Sequence, residues 1–222
     1  MDIAGTPGIR FGIAHPCGCG ACGQMLSRRD TINLEMNGCN GVGNAINSFA
    51  LISYLPEPLA GFLNSLRCEL VPRCLAKTHV TVLPPRPLAA GLPETAWHDL
   101  SDALDSFPPF RVELTSIEIF QGTNVIYLSI GTGCRELEEM HAALNRGPLQ
   151  FDEPFVYHPH VTLAQQLLPE QVEAAVTHAR SRWREFPYSH SFTVDRLTFV
   201  QNTAENRWAD LAGRQLSIRM AS

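Results

Sequence analysis

Long apolar runs are missing from this sequence of 222 residues. No run reaches the roughly 18 residues that a membrane-spanning helix requires. The first residues also lack the charged start and apolar centre of a secretory signal peptide. The seven cysteines are odd in number and scattered, which argues against a disulfide framework. We therefore expect a cytoplasmic protein with no membrane partner.

Runs of basic residues are missing as well. The chain has 17 Lys and Arg against 22 Asp and Glu, which gives a formal net charge of -5. A protein that holds a long nucleic acid by its phosphates normally carries a positive surface. If RNA is a partner, we expect this protein to recognise an RNA end or a small nucleotide and not a duplex.

Residues 1–46 differ in composition from the rest of the chain. They are rich in glycine and show no sustained helix or strand periodicity, so we expect a disordered N-terminal extension followed by one domain over residues 47–222. A structural zinc site usually draws ligands from two separated segments, so we favour a tail without metal, although zinc binding and a later translation start both stay open. The candidate zinc ligands in this extension are His15, Cys17, Cys19, Cys22 and Cys39.

Two stretches of the chain are near copies of each other. Residues 77–83 read KTHVTVL and residues 157–163 read YHPHVTL. In a β-strand, a His and a Thr two positions apart point to the same face. One such match carries little weight in a chain with 8 histidines, but the repetition is informative. We predict that four side chains form one phosphate site: His79, Thr81, His160 and Thr162.

Two histidines and two threonines suit the opening of a 2',3'-cyclic phosphate. One imidazole takes a proton from water and the other gives a proton to the departing ribose oxygen. The threonine hydroxyls donate hydrogen bonds to the non-bridging oxygens. This chemistry needs no metal and no cofactor. The repeat would instead be a coincidence if both motifs lay on edge strands that face solvent.

The order of predicted elements indicates the fold class. Strands and helices are interleaved in two similar halves, and each motif strand is followed by a helix that begins with Pro-Glu. Predicted hairpins interrupt the alternation that a doubly wound sheet requires. One of these hairpins has a bulge near Thr115 and Ser116, where the apolar phase changes. We predict an α+β fold with two pseudo-symmetric lobes, largely antiparallel sheets flanked by helices, and an active-site cleft between the lobes.

The paired His-Val-Thr tripeptides, each followed by an aliphatic residue, resemble the signature of the 2H phosphoesterase superfamily. The similarity is to its bacterial branch of 2'-5' RNA ligase-like proteins and RNA 2',3'-cyclic phosphodiesterases. Residues 49–56 resemble the opening strand of that family and residues 208–218 its closing segment, so the resemblance spans about residues 47–222. It implies a hydrolase in which His79 donates a proton and His160 accepts one. Because the chain is negative and shows no basic patch for an RNA tail, we expect RNA ligation as a side activity at most. The sequence itself does not assign the two roles.

Residues that flank the motifs are candidates for substrate contact. Arg86 would suit a phosphate, Tyr157 would stack on a base, and Gln165 stands where many relatives carry a basic residue. His158 shares a face with His160, and we interpret it as a surface histidine.

Two alternatives from other classes stay open: a nucleotide-binding module without turnover, and a zinc-binding interaction protein built on the N-terminal cysteines. The sequence carries no signal of oligomeric state.

Overall fold

The computed structural model describes residues 45–217, apart from residues 73, 75, 90 and 121. All of these residues belong to one unit of the chain, Gly38–Ser222. The elements follow in the order β1 (Ala45–Tyr54), α1 (Leu59–Leu70), β2 (His79–Arg86), α2 (Pro93–Leu104), β3 (Phe110–Ile119), β4 (Ile126–Ile130), α3 (Cys134–Leu144), a 3-10 turn (Gly147–Leu149), β5 (His160–Ala164), α4 (Pro169–Arg184), β6 (Ser191–Val194), β7 (Arg196–Thr203) and β8 (Trp208–Gln215).

Most of the predicted N-terminal extension, with its five candidate zinc ligands, lies outside the described residues. Strand β1 begins at Ala45, so the first two residues of this strand belong to the segment for which we predicted disorder. None of the helices in the described part of the chain is long and apolar enough to cross a membrane.

The strands form two four-stranded sheets. Sheet 1 has the order β2-β1-β7-β8, and sheet 2 has the order β5-β4-β3-β6. Every pairing in both sheets is antiparallel, and helices flank the sheets. The predicted α+β class with two antiparallel sheets is therefore confirmed. The register shift between Leu114 and Ile117 in the β3-β4 pair confirms the predicted bulge.

The two sheets agree in their number of strands and in the position of the motif strand, although they are not built from the two halves of the sequence. In both sheets a motif strand lies at the edge, and both motif strands are followed by a helix that begins with Pro-Glu. Sheet 1 also takes β7 and β8 from the end of the chain. Residues 192–200 do not form a single strand, because the chain breaks at Asp195 and crosses from sheet 2 to sheet 1.

One hydrophobic core joins both sheets and the helices. The apolar positions of α1 recur at helical spacing, so Leu59, Leu63 and Leu66 all face inward and are at most 2% exposed. Helix α1 packs beside β5, whereas α3 packs beside β2. The core thus places a helix of one lobe next to the motif strand of the other lobe.

The first motif strand extends beyond the His-Val-Thr motif. Strand β2 continues through Pro84 and Pro85 to Arg86. This strand is at the edge of sheet 1 and pairs only with β1. A proline is tolerated on an edge strand because its missing N–H removes no hydrogen bond from the interior of the sheet.

Because the strand continues, Arg86 points into the protein and is 1% exposed. Its guanidinium donates to Asn145 Oδ1 at 2.7 Å and to the Leu149 carbonyl at 3.2 Å, and it forms an ion pair with Glu153. Its Nε donates to the Pro84 carbonyl at 2.9 Å. The structure thus places Arg86, a predicted phosphate contact, in the interior, where its side chain joins residues 145–153 to β2.

Replacing Arg86 by methionine should lower the free energy of unfolding by about 3–5 kcal/mol, because the Glu153 carboxylate would stay largely buried without its guanidinium partner. The side chain of Glu153 is only 13% exposed. Urea denaturation of the wild type and of Arg86→Met measures this loss.

The matched control is Arg135→Met, which removes an exposed ion pair with Glu139 on the same helix. This control should show no measurable change in stability. Equal effects of the two substitutions would contradict the structural role of Arg86.

Candidate active site

Strand alternation places the four motif side chains on one side of their strands. The residues between and beside them, Val80, Val82, Val161 and Leu163, are at most 1% exposed and belong to the shared core. The four motif side chains, His79, Thr81, His160 and Thr162, are partly exposed. Because successive strand residues point to opposite faces, all four lie on the faces turned away from the core.

The two imidazoles are held in the same way. His79 Nδ1 lies 2.7 Å from the Lys77 carbonyl, and His160 Nδ1 lies 2.6 Å from the His158 carbonyl. A carbonyl oxygen only accepts hydrogen bonds, so each Nδ1 carries a hydrogen and donates it. In the neutral imidazole, Nε2 is then the nitrogen without a proton, and it is the atom that accepts or gives a proton in a reaction.

The fold brings the two motifs together. Both motif strands are edge strands, but β2 and β5 lie close to each other. The Tyr157 hydroxyl bridges them by donating to the Thr81 carbonyl at 2.7 Å. Two motifs that face solvent separately would have made the repeat a coincidence. The structure instead places the two motif strands next to each other.

Burial and neighbouring charges keep both imidazoles close to their neutral form. Burial lowers the pKa of His79, and the charges of Arg67 and His160 lower it further, although the hydrogen bond to the Lys77 carbonyl opposes them. Burial also lowers the pKa of His160, with the hydrogen bond to the His158 carbonyl again opposing. Negative charge from a bound phosphate would favour protonation of one of the two rings.

Aromatic side chains that we did not predict surround both histidines. Tyr54 is the cross-strand partner of His79 and presents its ring edge-on at 6.5 Å. Around His160, the rings of Phe120 and Tyr127 lie at 4.9 and 5.4 Å. The sequence places Tyr54 and Tyr127 in predicted strands. Their position beside the histidines depends on how these strands pair, which the sequence does not give.

The surroundings of the first motif carry more charge. Lys77 is exposed, and its Nζ lies 5.3 Å from the centre of the Tyr54 ring. The Tyr54 hydroxyl donates to Asp210 Oδ1 at 2.5 Å. Arg67 is 7% exposed and donates to the Lys77 carbonyl at 3.4 Å. The charge of Arg67 therefore acts on His79, where sequence reasoning had looked for a basic residue only after the motifs.

The remaining predicted contact residues have different surroundings. Gln165 follows β5 directly and is exposed. The ring of Tyr157 stacks on His141 with 3.9 Å between ring centres and 5° between the planes. The ring of Tyr157 is covered by His141, and its hydroxyl is bonded to the Thr81 carbonyl. Tyr157 therefore connects the two motifs, and the face of its ring toward His141 is not free to stack on a base. His158 is exposed and lies beside Phe120 and Tyr127.

Metal ligands are a separate question. Over the part of the chain that the structure describes, no three or more His, Cys, Asp or Glu side chains are grouped so that they would hold a metal ion.

Comparisons with known proteins agree with this fold. The model of the 2'-5' RNA ligase superfamily matches residues 55–206, which include both motifs. Escherichia coli LigT, solved with NADP+, is 19% identical with a TM-score of 0.54, and the match covers 79% of this chain and 99% of that chain. TT0787 of Thermus thermophilus is 17% identical with a TM-score of 0.51, and the match covers 76% of this chain and 97% of that chain.

At these identities the solved structures establish a shared fold. Comparison with curated protein sequences gave no significant match. The family model, however, spans more than half of the chain and contains the duplicated motif. The resemblance inferred from the two His-Val-Thr tripeptides is thus confirmed, and the chain belongs to the 2'-5' RNA ligase superfamily of 2H phosphoesterases.

Proposed function

We propose that this protein hydrolyses a 2',3'-cyclic phosphate, at an RNA end or on a small nucleotide, by two-histidine acid and base catalysis. The observation that carries the proposal is the pair of His-Val-Thr strands lying side by side, with both Nδ1 atoms bonded to backbone carbonyls. That arrangement leaves the Nε2 atom of each imidazole for proton transfer. Membership of a phosphoesterase superfamily supports the same class of reaction.

In the proposed reaction, water attacks the phosphorus atom while one imidazole takes its proton. The P–O bond to one ribose oxygen breaks, and the second imidazole protonates that oxygen. The family resemblance assigns proton acceptance to His160 and proton donation to His79. The hydroxyls of Thr81 and Thr162 stabilise the negative charge that develops on the non-bridging oxygens.

The charge of the chain bears on the choice of substrate. The net charge is -5, and Gln165 stands where many relatives carry a basic residue. These features favour recognition of a short end or a single nucleotide over a long RNA, and they place ligation as a weak side activity. A nucleotide-binding module without turnover is the alternative that an activity assay separates from this proposal.

Hydrolysis of 2',3'-cyclic nucleotides in excess EDTA should be lost in His79→Ala and in His160→Ala. Each substitution should lower kcat/KM by about 100-fold to 10,000-fold, because it removes one general acid or base. Thr81→Val or Thr162→Val should cost about 10-fold to 1,000-fold, since each removes one donor to the developing charge.

His98→Ala is the matched control, because His98 is exposed and pairs with Asp102 on its own helix. This variant should keep wild-type activity. Nucleotide binding without any product in the wild type would contradict hydrolysis and support the binding module.

The pH dependence of kcat/KM should have its optimum below the ordinary histidine pKa of about 6.5. Activity needs one protonated and one neutral imidazole in the free enzyme, and burial lowers the pKa of both His79 and His160. As the pH rises above these lowered values, the protonated acid disappears and kcat/KM falls. Assays from about pH 4 to about pH 9 test this, and an optimum above about pH 7 would be inconsistent with the burial of the pair.

A further inference from the structure

The two motif strands share no backbone ladder. Strand β2 pairs only with β1, and β5 pairs only with β4, so each ends its own sheet. The strand pairings therefore do not fix the distance between His79 and His160. Acid and base catalysis on one phosphate requires that distance to be held closely, because a misplacement of about 1 Å can cost about 100-fold in rate.

A single side chain spans the gap. Tyr157 lies three residues before His160, and its hydroxyl donates to the carbonyl of Thr81, which lies two residues after His79. Among the described residues, this is the one hydrogen bond that joins residues 157–164 to residues 77–86. It connects the second motif directly to the backbone of the first.

The ring that carries this hydroxyl is itself fixed. Tyr157 stacks face to face on His141 of α3 at 3.9 Å. His141 Nδ1 lies 2.8 Å from the Val82 carbonyl, to which it donates. The carbonyls of two successive residues of β2 thus accept hydrogen bonds from two side chains whose rings stack on each other. The stacking restricts the orientation of the Tyr157 ring, and the hydrogen bond restricts its distance from β2.

We propose that Tyr157 is a positioning residue that sets the separation of His79 and His160 through its hydrogen bond to the Thr81 carbonyl. This inference rests on the proposed function for its effect on rate. Its effect on the interaction between the two imidazoles does not depend on any activity. The two effects are measured separately.

Tyr157→Phe is the direct test, because it removes the hydroxyl and keeps the ring that stacks on His141. The matched control is Tyr188→Phe, which removes the hydroxyl of a side chain that is 61% exposed. For each protein, kcat and KM are measured with a 2',3'-cyclic nucleotide. The titration of the histidine Cε1–H signals is followed by NMR, and the folded fraction by thermal melting.

In Tyr157→Phe, kcat should fall by about 10-fold to 100-fold while KM changes much less, because the groups that bind the phosphate remain but are misplaced. The pKa of His79 should rise slightly, because burial, which lowers it most, stays, while the charge of His160, which also lowers it, would act from farther away. Tyr188→Phe should match the wild type in every measurement.

Wild-type kcat with an unchanged His79 titration in Tyr157→Phe would overturn the inference. A loss of activity that only follows a loss of folded protein, with the titration unchanged, would overturn it as well. If the wild type itself hydrolyses no cyclic phosphate, the proposed function fails, but the NMR titration still decides whether Tyr157 sets the separation of the two imidazoles.

Discussion

The active site of this protein depends on holding two edge strands side by side without a backbone ladder between them. Each sheet has a motif strand at its edge, and the apolar side chains of both motif strands pack into the shared core. Side chains that bond to the carbonyls of β2, from Tyr157 and His141, complete the connection. An edge strand normally exposes unpaired backbone groups. Here two carbonyls of edge strand β2 accept hydrogen bonds from the side chains that connect the two motifs.

The pseudo-symmetry of the fold explains why the two histidines are equivalent in their backbone contacts. In each motif the carbonyl two residues earlier fixes Nδ1, and the neighbouring apolar residues anchor the strand in the core. Their surroundings are not equivalent. The charge of Arg67 acts on His79, whereas His160 lies against Phe120 and Tyr127. Different surroundings can give two like groups different pKa values, as the proposed acid and base roles require.

Sequence reasoning found what depends on local periodicity. The His and Thr of each motif share a face because side chains alternate in a strand, and the helices follow from apolar spacing. It could not reach what tertiary context decides. Arg86 was a candidate phosphate ligand because an arginine next to the motif suits a phosphate. The edge strand accommodates Pro84 and Pro85 and continues, so this side chain lies in the interior. The contacts of Tyr157 depend on another segment of the chain, and no local pattern predicts them.

The central claim is that both His-Val-Thr motifs form one phosphate site, and binding of inorganic phosphate tests it most directly. The Cε1–H signals of His79 and His160 are followed by NMR while phosphate is added to the full chain. One site predicts that both signals shift along the same binding curve, with a single Kd. Shifts of only one histidine, or two unrelated binding curves, would contradict the account.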